Sequence, residues 1–293
     1  MKFGLFAINY GTCADPDAAV RVARHAEAAG FESVWSGEHI VLPDPAPPGF
    51  TMPPTMPFLD TVVALTLVAA HTATIKVASG IIVLPLHHPV VLAKELASID
   101  VVSNGRLIAG FGAGYLPQEF ASTGVPMAER GARTEDYIRA MRALWSMDSP
   151  RFEGRFVSFR DVQARPRPVR RPGPPVVLGG EAPAALRRAV TMAEGWYGFH
   201  LDLDETSRLT EELRHAAREH ERPPELGRLE LTVTPAEKLD RTVVERYEQL
   251  GIDRLVVLPE PDAPREKRHA PVPVDHIMRN IDRTATELIA RHR

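Results

Sequence analysis

The chain has 293 residues, roughly twice the common single-domain size, yet a closed α/β barrel spends about 250 residues on one domain, so one large domain or two smaller ones are both open. A composition 44% hydrophobic and 25% charged can bury a large core, which excludes a wholly disordered or fibrous protein. A net charge of -3 leaves no electrostatic footprint for nucleic acid or an anionic membrane, and the single cysteine, Cys13, excludes an internal disulfide and a cysteine-based zinc site. Such cysteine usage makes a cytoplasmic setting the expectation. The start, MKFGLFAIN, lacks the apolar run of a signal peptide, and no stretch has the length and apolarity of a membrane span. Arginine outnumbers lysine 30 to 5 beside 27 prolines, the bias of a GC-rich genome such as an actinobacterial one.

In chain order, Lys2–Ile8 (KFGLFAI) reads as a buried strand. Asp15, Pro16 and Asp17 then open a helix with a cap, a first-turn proline and early negative charge, and it ends at Ala29 with Gly30 placed for a left-handed cap. Ser33–Ser36 (SVWS) and Ile75–Val83 (IKVASGIIV) are the next strands. A helix over Val90–Ser103 runs through Asn104-Gly105 into the strand Arg106–Gly112, and Val176–Gly179 (VVLG) follows as a fifth strand. The helix Ala182–Glu194 passes through Gly195 into WYGF. Leu229–Thr234 is a further strand, and a helix over Pro235–Leu250 passes through Gly251 into IDRLVVL. Helix, glycine, apolar strand is the punctuation of a parallel sheet. About eight such strands without a linker predict a single (β/α)₈ barrel over the whole chain, rather than an open sheet with a second domain.

Two stretches exceed the minimal repeat. Val41–Pro57 carries seven prolines, so it forms neither helix nor central strand and is expected as a loop on the C-terminal face, covering the substrate. The segment from Ser146 to Pro175 holds a hairpin around Glu153-Gly154 and a basic run, Arg165, Arg167, Arg170 and Arg171, expected as a solvated loop near the opposite face.

Barrel chemistry sits at strand C-termini. The second strand ends in Glu38-His39, an acid beside an imidazole able to give or take a proton. Gly80, inside Ser79-Gly80-Ile81, interrupts a β-branched run and marks either a bulge near a ligand or close packing. The glycines of Gly110–Tyr115 (GFGAGY) only weakly resemble a dinucleotide fingerprint. Gly179-Gly180-Glu181-Ala182 runs straight into a helix, exposing backbone N–H groups that suit a phosphate. His87-His88 precedes a proline, two adjacent residues that cannot easily share one ion, so no metal is expected.

Together, KFGLFAIN, SVWSGEH, the block from VASGIIVLPLHH to GFGAGY, and RPVRRPGPPVVLGG resemble the luciferase-like monooxygenase superfamily, and within it the coenzyme F420-dependent oxidoreductases. The resemblance runs to about residue 200 and implies a (β/α)₈ barrel, a homodimer and a deazaflavin or flavin in the mouth. It implies that Gly179, Gly180, Glu181 and Ala182 take the cofactor phosphate, and that Ser79, Gly80 and Ile81 form a bulge with a non-prolyl cis bond at Gly80–Ile81 beneath the ring. His39, Ala113, Gly114 and Gln118 complete the expected cofactor set, Gln118 at the pyrimidine edge. Glu38 and His39 match a catalytic Asp-His pair of the sugar-phosphate dehydrogenase branch, with Glu in place of Asp. GYLPQE matches a stretch that supplies a catalytic Glu there, but the aligned residue is Tyr115, which argues against sugar-phosphate oxidation. F420 is the expected cofactor, transferring hydride to or from a small organic substrate. The alternatives are an FMN-dependent monooxygenase served by a separate flavin reductase and a barrel that binds flavin without turnover.

Overall fold

The computed structural model describes residues 1–260 and 272–291. The strands β1 (Lys2–Leu5), β2 (Ser33–Ser36), β3 (Lys76–Ser79) with its continuation β4 (Ile82–Val83), and β5 (Leu107–Gly112) make one half of a parallel sheet. After a two-stranded hairpin, β6 (Phe152–Glu153) with β7 (Ser158–Phe159), the strands β8 (Val176–Gly179), β9 (Gly195–Leu201), β10 (Glu230–Pro235) and β11 (Arg254–Val257) complete it. The pairing β1–β11 joins the two halves and β3–β5 closes the ring, giving the eight-stranded barrel expected from the sequence.

The helices run between strands on the outside: α1 (Pro16–Ala29), α2 (Thr61–His71), α3 (Pro89–Val102), α4 (Pro117–Thr123), α5 (Arg130–Ser146), α6 (Pro183–Met192), α7 (Leu203–Glu219), α8 (Arg241–Gln249) and α9 (Val274–Glu287). Their ends follow local chemistry. Asp15 accepts from the Ala18 amide at 2.8 Å and Gly30 ends α1 at φ 92°, a left-handed conformation glycine adopts freely. Boundaries shift in places, β1 stopping at Leu5 rather than Ile8, and the largest shift is that Pro235 ends β10 and α8 starts at Arg241, where Asp240 caps it by accepting from Val243 N.

Both faces of the strands are buried, as a parallel barrel requires. Trp35, Ala78, Ile108, Val177, Tyr197 and Val256 fill the interior, while their neighbours Val34, Val77, Leu107, Val176, Trp196 and Leu255 pack under the helices. The N-terminal end is plugged by charge. Arg254, 1% exposed, makes a bidentate pair with Glu32 at 2.9 and 3.1 Å and reaches Glu230 at 2.6 Å, while Lys76 binds Glu32 and Lys2 binds Glu230. Burial opposes ionisation of Glu32, but Arg254 and Lys76 overcome it and bring its pKa from 4.5 down to about 2. Of the basic run, Arg165 and Arg171 are exposed as expected, whereas the Arg167 side chain packs against Asp148 and the Met147 carbonyl and the Arg170 backbone amide donates to Asp100.

At the other end, β3 and β4 are one strand with a residue too many. Ala78 pairs with Ile108 and Ile82 with Phe111, so four steps on one side face three on β5. The surplus is a bulge at Gly80–Ile81, whose peptide bond is cis. Ser79 pins it: its hydroxyl donates to Gly110 O and accepts from Gly110 N, both at 2.8 Å. A Cβ at Gly110 would stand 1.8 Å from the Ser79 carbonyl oxygen.

Two outcomes are expected. Glu32→Gln lowers stability at pH 7 by about 3 kcal/mol, because a depressed carboxylate pKa stabilises the fold above 4.5. That contribution disappears as pH falls toward 2, so denaturant midpoints of the two proteins converge in acid. Gly110→Ala collides with backbone and costs about 3 kcal/mol or more, whereas a Cβ at Gly112 meets the movable Ile81 Cδ1 tip at 2.6 Å. Gly112→Ala therefore costs about 1 kcal/mol in the same denaturation assay.

Candidate functional site

A cavity of about 970 Å³ opens at the C-terminal ends of the strands. It is lined by Gly80 and Ile81, by Ala113 and Gly114, by the turn Gly179–Ala182, and by Gly49, Phe50, Thr51 and Met52 of the proline-rich loop. That loop has neither helix nor strand.

The end of β2 is fixed from behind. Asn9, fully buried, donates to Gly37 O at 2.8 Å and accepts from Gly37 N at 2.9 Å, and Thr61 donates to the same carbonyl. This holds the next two side chains in place. The Glu38 carboxylate, 5% exposed, accepts from Val83 N at 2.6 Å and pairs with His87 Nε2 at 3.1 Å. Burial disfavours the charged His87 ring, but Glu38 outweighs it and raises the His87 pKa. Glu38 touches the cavity as a strut between β2 and β4, with both oxygens engaged. His39 is different. It is 11% exposed, and its Nδ1 lies 3.4 Å from Oε1 of Glu119, which also accepts from Ile40 N at 2.9 Å. Phe50, Phe58 and Tyr115 meet its ring edge-on at 5.9, 5.6 and 6.2 Å.

Two residues of the expected cofactor set, Ser79 and Gln118, do not line the cavity. Ser79 is fully buried, its hydroxyl consumed by Gly110 behind the cavity wall. Gln118 is exposed, because α4 turns its neighbours Glu119 and Phe120 inward. Tyr115 hangs at the rim, 64% exposed, and the carboxylate of this segment reaches His39 from Glu119, the last residue of GYLPQE. His87 and His88 diverge, one to Glu38 and the other exposed at the start of α3. Among the described residues no cluster of three or more His, Cys, Asp or Glu could hold a metal. Cys13 lies on the cavity wall, 2% exposed, and burial followed by the charge of Asp15 pushes its thiol up to about 12, so it is no nucleophile at neutral pH.

Three groups around the Gly179–Ala182 turn left no motif in the sequence. The Trp196 indole donates to Gly180 O at 2.9 Å and fixes that peptide. Gly180 has φ 118°, and a Cβ there would come 2.8 Å from the Ala185 Cβ, so the turn keeps an open cradle before the N-terminus of α6. Arg130 and Arg188 reach the cavity beside it from α5 and α6. Burial lowers the Arg188 pKa and Glu135, at 3.9 Å, partly restores it, leaving a charged guanidinium. Glu181, Asp202 and Glu205 lie on the β9 side, where burial and then Glu205 raise the Glu181 pKa.

Residues 1–268 match the family model described as luciferase-like monooxygenase. An uncharacterized protein of Mycobacterium tuberculosis is 30% identical over 267 residues, 87% of this chain and 91% of its own. An FMNH(2)-dependent dimethylsulfone monooxygenase of Pseudomonas putida is 35% identical over 131 residues, 44% of this chain and 36% of its own. An F420-dependent secondary alcohol dehydrogenase, solved with an F420-acetone adduct, superposes with a TM-score of 0.77 at 16% identity, covering 99% of this chain and 98% of its own. Among the described residues no helix is long and apolar enough to cross a membrane. With a family match over most of its length and the cavity at the barrel's C-terminal mouth, the chain belongs to the luciferase-like monooxygenase family.

Proposed function

We propose that the protein is an F420-dependent oxidoreductase that moves a hydride between the deazaflavin and a small organic substrate. One observation carries this: the open cradle at Gly180, the Gly80–Ile81 bulge and His39 share a single cavity, an anion site and a ring support flanked by a proton-handling side chain. The backbone N–H groups of Gly180, Glu181 and Ala182, with the positive end of α6 behind them, hold the phosphate. The Gly80–Ile81 bulge, with Ala113 and Gly114, would hold the ring. When bound, the deazaflavin supplies hydride chemistry without oxygen activation, since a carbon replaces N5. His39, steadied through Nδ1 by Glu119, presents Nε2 to the substrate oxygen and gives or takes its proton. Glu38 is a positioning residue that ties β2 to β4.

Arg130 and Arg188 support F420 over FMN, because the deazaflavin continues past its phosphate as an anionic chain whereas FMN stops there. The superposition with an F420-dependent dehydrogenase over nearly the whole chain supports the same reading. The second reading, an FMN-dependent monooxygenase with a partner reductase, is favoured by the acidic wall of Glu181, Asp202 and Glu205, which opposes a long anionic tail, and by the likeness to the FMNH(2)-dependent enzyme.

Calorimetric titration separates the two. Oxidised F420 is expected to bind at micromolar concentration and more tightly than FMN, with Arg188→Ala weakening F420 more than FMN; micromolar FMN without F420 binding overturns the first reading. Gly180→Val weakens whichever cofactor binds by at least about tenfold. In turnover, His39→Ala lowers kcat by about 100-fold, and Glu119→Gln lowers kcat about tenfold at unchanged KM. Full activity in His39→Ala removes its catalytic role.

A further inference from the structure

Away from the phosphate turn, the cavity wall is a chain of rings. Tyr10 stacks on Phe58 at 4.8 Å and 24°, Phe6 meets Tyr10 at 6.0 Å and Phe199 at 5.1 Å, and the edges of Phe58 and Phe50 close on His39. All six line the cavity, and they come from the end of β1, β2, β9 and the segment that includes the proline-rich loop. Lysine and arginine are kept out of this region, and the Glu260 carboxylate on its wall is paired with His276 at 2.7 Å. Among the described residues the only Lys or Arg side chains on the wall are Arg130 and Arg188, at the phosphate turn, while Glu38 is tied to His87 and Val83 N.

From this partition we infer that the substrate is uncharged and planar, an aromatic or conjugated carbonyl or alcohol whose single oxygen meets His39. The inference rests on the proposed reading of the cavity and deepens it by naming the substrate class. Rings at these separations accept a further flat π-face in offset or edge-on contact. A carboxylate or phosphate placed among them loses its water and, among the described residues, finds no Lys or Arg, only the imidazoles of His39, which already faces the Glu119 carboxylate, and of His200 beside Phe199. An unpaired charge in such a place is strongly disfavoured. A sugar phosphate fails on both counts, having neither a flat apolar face nor a free cation to meet.

The test is calorimetric titration of the full chain, with and without saturating cofactor, using acetylnaphthalene, its carboxylate analogue naphthoate, and a hexose phosphate. Acetylnaphthalene is expected to bind at least about tenfold more tightly than naphthoate, with the hexose phosphate weaker still. Phe58→Ala and Phe199→Ala are each expected to weaken acetylnaphthalene at least about fivefold. Phe199 is 44% exposed, so its truncation leaves the core intact and guards against misfolding of the other variant. Tighter binding of naphthoate or hexose phosphate, or acetylnaphthalene binding unaltered in both variants, overturns the inference. Cofactor binding without any acetylnaphthalene binding also overturns it while leaving the cofactor reading in place. Acetylnaphthalene binding together with a failure of both F420 and FMN to bind upholds the ring-lined site and removes the cofactor reading instead.

Discussion

The mouth of this barrel depends on one surplus residue. Closing eight strands into a ring demands matched registers, yet the third strand spends one residue more than β5 between their shared pairings. The excess has to leave the ladder somewhere, and it leaves at Gly80–Ile81, inside the cavity. It is tolerated because β5 offers no side chain at Gly110, where the Ser79 carbonyl occupies the space of a Cβ, and because the Ser79 hydroxyl replaces the lost ladder bonds with a reciprocal pair to the same residue. A glycine and a serine on adjacent strands thus turn a pairing defect into a raised floor.

Stability and chemistry are held at opposite ends. The Arg254, Glu32, Glu230, Lys76 and Lys2 network closes the N-terminal end. The mouth instead keeps its polar groups in short, local braces: Asn9 on Gly37, Glu38 on His87, Glu119 on His39, Trp196 on Gly180. Each brace fixes one loop end without crossing the cavity. The space between them stays open to ligand.

Much of this was legible in the sequence because it is written in local chemistry. The Asp15-Pro16 start and Gly30 stop of α1, the apolar strand runs and the paired glycines before α6 all act through backbone geometry within a few residues. The helix begun too early at Pro235 shows the limit of that signal: β10 runs on into the proline, and the Asp240 cap five residues later sets the true start. What stayed hidden was non-local. Glu119 finds His39 across 80 residues and Glu38 finds His87 across 49, and no spacing rule announces either. Ser79 sits in the expected bulge motif but spends its hydroxyl on the neighbouring strand, a distinction only the closed barrel reveals. Arg130 and Arg188 lie in ordinary helical sequence and meet only because α5 and α6 are neighbours around the ring.

The indole that fixes the Gly179–Ala182 turn has an optical consequence. Of the three tryptophans, Trp196 bonds Gly180 directly and Trp35 lies against Gly80, where its ring would be 2.9 Å from an added Cβ. Two of the chain's three indoles therefore back wall residues of the cavity, one at Gly180 and one at Gly80. Flavins and deazaflavins absorb where indole emits, so such a ligand in the mouth would quench these two most strongly by energy transfer, and Trp145, which bonds Ala93 of α3 away from the cavity lining, to a lesser degree.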